Sequence, residues 1–188
     1  MESVRSFEQR AEPKKQFAFS VRLQLLTDQA RETTIEENRA MKQIIYAMQF
    51  KGQGGPGASP NVLKAATSSP SSTLTTVVGP EGVHGSVQPA GGGKASFESE
   101  VTITGESSFV ESGSIRFGDG SHRLRFSTVG QGHLGDSPEP KLKSGAVMWK
   151  VDGGEGQFAG ASGYITSNFT MDEAGHVTDH QFGVIYVK

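Results

Sequence analysis

Gly145-Ala-Val-Met-Trp-Lys-Val-Asp-Gly-Gly-Glu-Gly-Gln-Phe-Ala-Gly-Ala-Ser-Gly-Tyr-Ile-Thr-Ser-Asn-Phe-Thr-Met171 is the stretch on which the fold turns. Runs rich in β-branched and aromatic residues flank a cluster of glycines, and this reads as strand, tight turn, strand. Gly145–Val151 and Gly163–Met171 are the predicted strands. Val147, Trp149 and Val151 point one way and Ala146 and Met148 the other, because side chains alternate along a strand.

The same pattern extends outward in both directions. Phe97–Thr104, Ser107–Phe117, Arg123–Gly130 and Val177–Val187 read as further strands. Gly118-Asp-Gly120, Asp152-Gly-Gly154 and Asp172-Glu-Ala-Gly175 are short links whose glycines admit the positive φ of tight hairpins. The one longer link, Gln131–Ser144, holds Pro138 and Pro140. Regular short strands with turn signals predict an all-β antiparallel barrel or sandwich. Several late strands are apolar on both faces. A cover on the outside, either the N-terminal segment or another subunit, is therefore expected, and with it a homo-oligomer.

The first half is less sharply written. Residues 1–16 read as a polar arm, and 17–188 as one barrel domain. Phe17-Ala-Phe19-Ser-Val21-Arg-Leu23-Gln-Leu25 alternates cleanly and predicts a half-buried strand. Thr34-Ile-Glu-Glu37 has capping-box spacing and marks a short helix. Met41–Phe50 fits strand or helix equally well. Residues 51–94, rich in Gly, Ser and Pro, read as a flexible insert serving as a lid. Inside it Thr73–Val78 and Val83–Val87 are short strand candidates.

Composition narrows the classes of function. The chain has 188 residues with 18 Lys+Arg against 20 Asp+Glu, so the basic excess of a nucleic-acid binder is missing. There is no cysteine, which rules out disulfides and thiolate metal sites. No run approaches the ~18 apolar residues that span a bilayer. No apolar segment follows the charged N-terminus, and the expected setting is cytoplasmic, with no membrane partner.

Gly153, Gly154, Gly156, Phe158, Gly160 and Gly163 resemble the Gly-Gly-x-Gly-x-Phe-x-Gly-x-x-Gly pattern of allene-oxide-cyclase-like β-barrels. Small bacterial barrels of unknown function and barrels that form spiro rings in polyketide biosynthesis look similar. The likeness covers about the last half of the chain. It implies a closed antiparallel barrel of about eight strands, lipocalin-like in build, with Phe158 plugging one end. It also implies chemistry done by holding a reactive chain in an apolar lumen. It transfers no catalytic residue, because the family's polar positions do not align here.

Candidate site residues follow from which strand faces look inward. His180 shares a face with Phe182, Val184 and Tyr186. If that face lines the lumen, His180 is a polar group in an apolar cavity, with a pKa open to catalytic tuning; otherwise it meets a neighbouring subunit. Tyr164 and Asn168 share a face and, if inside, would donate hydrogen bonds to a substrate carbonyl; otherwise they face solvent. Trp149 and Phe182 are expected as apolar substrate-binding wall. Arg125 is a carboxylate clamp if inside and a solvated strand residue if not. His133 is expected at the barrel mouth. Gly52-Gln-Gly-Gly-Pro-Gly57 matches a dinucleotide fingerprint only formally, since Pro56 interrupts it and no helix pattern follows. The five histidines have no metal-ligand spacing. The expected function is a cofactor-independent cyclase or isomerase, with no metal, acting on an apolar molecule derived from a polyketide or fatty acid. His180, Tyr164 and Asn168 are its catalytic candidates. The alternative is a non-catalytic small-ligand barrel, a carrier or sensor.

Overall fold

The final strand shows how the chain sorts its faces. From Asp179 onward, every second residue (Gln181, Gly183, Ile185, Val187) is buried, and the residues between them point outward. That alternation recurs along strand after strand of the computed structural model, which describes residues 41–188. The expected arm, the strand at Phe17–Leu25 and the capping box at Thr34 lie outside the described residues.

Among the described residues nine strands follow in chain order: β1 (Lys42–Pro56), β2 (Val62–Gly79), β3 (Gly82–Ile103), β4 (Ser108–Phe117), β5 (His122–Thr128), β6 (Gly132–Asp136), β7 (Leu142–Glu155), β8 (Ser162–Asp172) and β9 (His176–Val187). A 3₁₀ turn, Gly156–Phe158, joins β7 to β8. Every pairing is antiparallel. The order runs β1-β2-β3-β4, then β7-β8-β9, and back to β1. Between β4 and β7 lie β5 and β6, two halves of one broken strand, each bonded to both neighbours. Together they make a closed ring of eight strand positions, the barrel expected from the turn spacing. Met41–Phe50, ambiguous in sequence, is strand, and its ladder with β9 decides the matter.

The glycine cluster works by geometry. Opposite Arg125 the register slips between Leu124 and Phe126, so β7 carries a bulge. A Cβ on Gly154 would stand 1.9 Å from the Arg123 carbonyl, and one on Gly163, at φ +133°, would stand 2.2 Å from that of Val184. Only glycine lets β7 and β8 bend this close to their neighbours. Phe158 is buried beneath the 3₁₀ turn, its ring 5.0 Å from that of Phe117, and closes one end of the barrel. Inside, Phe97, Phe126 and Trp149 form an aromatic layer with centroids 4.3 to 5.7 Å apart.

The segment read as a flexible lid is built differently. β1 pairs with β2 only between Lys51 and Pro56. Beyond it, β2 and β3 run on together as a two-stranded ribbon, from Ser72 opposite Pro89 to Gly79 opposite Gly82. Thr/Val-rich alternation outweighs the Ser, Pro and Gly content that suggested a loop. The ribbon leaves the barrel beside the plugged end, where the Gly118 N–H of the β4–β5 turn donates to the Lys94 carbonyl.

Candidate active site

For the candidates on β8 and β9, the sequence left two faces open, and the outward one is the one they take. His180, Tyr164 (57 % exposed), Phe182 (54 % exposed) and Asn168 stand on the outer wall. Their candidate roles as catalytic groups and apolar wall inside the lumen are corrected, because the residues between them on each strand are the buried ones. Arg125 is also outside, 3.7 Å from the Glu155 carboxylate, and is not a clamp within the lumen. His133 is exposed as well. The ladder does bring three of these residues together: His133, Asn168 and His180 line one shallow outer groove, where His180 Nε2 lies 2.7 Å from Gln49 Nε2. Of the candidates, only Trp149 is interior, fully buried in the aromatic layer.

The lumen holds a cavity of about 80 Å³ between that layer and the open end. Gly54, Leu63, Val101, Ile103, Leu134, Met171 and Val177 form its upper wall, with Phe97 deeper in. Apart from Leu134 of β6 and the deeper Phe97, these residues lie toward the β1–β2, β3–β4 and β8–β9 turns, away from Phe158. The ribbon therefore sits at the opposite end from the mouth and does not cover it.

Two acids reach into this apolar space: Glu111 of β4 and Asp179 of β9. Both are buried. Glu111 shares its strand face with Phe109 and Ile115, which carries it inward. Its backbone is pinned at the break between β5 and β6. The Thr128 hydroxyl accepts from the Glu111 N–H at 2.7 Å and donates to the Glu111 carbonyl at 2.9 Å. Trp149 Nε1 donates to Glu111 Oε2 at 3.2 Å, which ties the acid to the aromatic layer. Asp179 is held more tightly. Ser167 Oγ donates to its Oδ1 at 2.6 Å and Gln181 Nε2 to its Oδ2 at 2.7 Å. Gln181 is fixed in turn by the Tyr46 hydroxyl, which donates to its Oε1 at 2.7 Å.

These surroundings separate the two acids. Burial raises the Glu111 carboxyl to about 7, and the nearby charge of Asp179 adds to the rise. The Ser99 hydroxyl, buried without a formed hydrogen bond of its own, and Trp149 oppose it. Burial also raises Asp179, but the bonds from Ser167 and Gln181 and the charge of His180 pull it back. Both oxygens of Asp179 accept hydrogen bonds, which favours its ionised form. Tyr46 is pushed well above its ordinary value by burial and by Asp179, so it remains a donor. Burial thus raises both carboxyls, Glu111 to about 7, while their hydrogen-bond partners differ, Asp179 accepting at both oxygens and Glu111 from Trp149. Two acids in unlike surroundings are an arrangement that acid–base work uses. Among the described residues, no three His, Asp or Glu side chains converge as a metal site would need.

The sequence reading missed Glu111 and Asp179. The signal was present in Phe109-Val-Glu-Ser-Gly-Ser-Ile115, where a carboxylate shares an otherwise apolar face. No protein-family model and no curated protein sequence matches the chain. Among solved structures, a dirigent protein described as a pterocarpan synthase superposes with a TM-score of 0.50 at 15 % identity, covering 79 % of this chain and 90 % of that one. The likeness establishes the β-barrel fold. No helix among the described residues is long and apolar enough to cross a membrane, which says nothing of strands.

Proposed function

We propose that the barrel is a cofactor-independent cyclase or isomerase, with Glu111 as proton donor and Asp179 as proton acceptor on an apolar molecule held in the lumen. The observation that carries this reading is the pair of buried carboxylates in an apolar, one-ended cavity. Burying two acids in such a place costs stability, and each is held there by hydrogen bonds from neighbouring side chains, as a functional site with shifted pKa values would have it. Asp179 takes a proton from a hydroxyl or an activated C–H of the substrate. The electron pair released forms the new ring bond while a C=C π bond or a C–O bond of the same substrate breaks, and Glu111 delivers its proton to the carbon or oxygen that takes up that pair. Atoms and electrons balance within one substrate, as an isomerisation requires. Phe97, Phe109 and Phe169 offer flat apolar contacts that fix the reactive conformer. The solved neighbour, named as a synthase, supports the reading that this fold hosts small-molecule chemistry. The nearly all-apolar wall supports the second reading, a carrier that binds without converting.

The test uses 5-nitrobenzisoxazole, a small neutral aromatic that isomerises to the cyanophenol when a base removes its C–H proton. The barrel should accelerate this well beyond acetate at equal concentration. Asp179→Asn should cut the rate by about 10²-fold or more, the scale of a lost general base. A rate equal to that of acetate and unchanged by Asp179→Asn overturns the enzyme reading. Saturable binding of the probe without turnover supports the carrier.

A further inference from the structure

The β2–β3 ribbon has no structural duty toward the barrel core. Its residues from Thr73 to Val78 and from Gly82 to Lys94 are all exposed. Its cross-strand pairs sort by face: Leu74 with Val87, Thr76 with Gly85 and Val78 with Val83 on one side, Thr75 with Ser86 and Val77 with His84 on the other. One side is thus apolar, with Val78 at 78 % and Val83 at 68 % exposure. An isolated two-stranded hairpin is marginal in water, and three or more strands sharing an apolar face are needed for stability. Among the described residues the β2 edge carries no blunting device, since no Lys, Arg, Asp or Glu lies between Lys64 and Glu81 and no proline between Pro70 and Pro80. Natural edge strands are usually blunted by such residues.

We propose that this ribbon is a self-pairing arm: the β2 edge Thr73–Val78 of one chain joins the same edge of a second copy, antiparallel, about a twofold axis through Thr76.

Three observations select a second copy. An antiparallel edge pairs with itself without changing sequence, which is the isologous geometry of a twofold dimer. With Thr76 opposite Thr76, Leu74 faces the partner's Val78 and Thr75 faces the partner's Val77. Both apolar faces then fall on the same side and merge into one four-stranded apolar face. Charge agrees as well, because the edge is neutral and the ribbon's single carboxylate, Glu81, lies opposite the partner's Ser71, far from its own counterpart. A nucleic acid or charged peptide would find no complementary charge there. The β3 edge is the poorer candidate, because Gly85, Pro89 and Gly91-Gly-Gly93 interrupt it.

The test uses the full chain, which has no native cysteine. Directly opposed residues stand ~4.5–5.5 Å apart at Cα, within disulfide reach. Mild oxidation of Thr76→Cys should therefore link chains in pairs almost completely. Thr73→Cys, some 20 Å from its counterpart by strand rise, should not link. Thr76→Lys and Thr76→Glu each set like charges against each other on the axis and should weaken association at least about tenfold, while mixing the two restores it. Light scattering follows the mass against the 20.0 kDa chain. A monomer at all concentrations, equal linkage by both cysteine variants, or association unmoved by either charge overturns the proposal. Barrel melting and turnover of the benzisoxazole probe should be unchanged in all four variants. The arm's pairing and the lumen's chemistry are therefore judged separately.

Discussion

Glu111 gives the pH dependence of stability its sign. Its carboxyl sits at about 7 in the fold against 4.5 when unburied. The folded chain therefore holds the proton over a range where the unfolded chain has lost it. Stability linked to this proton is complete below pH 4.5 and is lost as pH rises through 7, on the order of 3 kcal/mol in all. Asp179, also raised, acts in the same direction. Asp119, Asp136 and Asp172 are lowered on the surface, so their contribution is lost only in more acid solution. Thermal melting of wild type should fall between pH 4.5 and 7, and Glu111→Gln should flatten that fall. Gln181 gives the second prediction at this scale. Gln181→Leu strands Asp179 Oδ2 and the Tyr46 hydroxyl together, with a loss of about 2–4 kcal/mol in chemical denaturation. Little of this was legible in sequence. On β9 both faces are apolar, so alternation alone could not choose between them, and the narrow barrel takes Gly183, Ile185 and Val187 inside and leaves Phe182 and Tyr186 out.

Strands and turns were the most readable level. Glycine spacing around Gly154 and Gly163 marked the bend correctly because the constraint there is steric and local. Gly163→Ala should destabilise by about 1–3 kcal/mol from φ alone, and the contact with the Val184 carbonyl adds to it. A fall in melting temperature with unchanged lumen residues is the expected readout. The ribbon was misread because Gly, Ser and Pro signal loops, whereas Thr73–Val78 and Val83–Val87 were each recognisable as strands. What composition could not express was their pairing with each other. Replacing Ser72–Pro89 by a two-residue turn should leave probe turnover intact, since the ribbon stands at the end away from the mouth. A lid would have had to sit over Leu63, Val101 and Leu134.

The ring as a whole follows from turn spacing, because evenly spaced antiparallel strands without a protected edge tend to close. Closure also fixes which residues meet. Glu111 and Asp179 are far apart in the chain, and only the completed circle β9-β1-β2-β3-β4 brings their strands to face each other across the lumen. That is why a motif scan, which sees neighbours in sequence, passed over them. Phe158→Ala should open the plugged end, admit water to the aromatic layer and lower the Glu111 carboxyl toward its ordinary value, as a labelled-carboxyl NMR titration would record.

With Phe158 and Phe117 sealing one end, the lumen is a room with a single door. Whatever leaves must pass where the next guest waits, so occupancy is strictly one at a time and nothing can be handed through the barrel to a protein on its far side. On the proposed cyclase reading, a product nearly the size of its precursor competes for the same doorway, and slow departure sets the pace when the chemistry itself is fast.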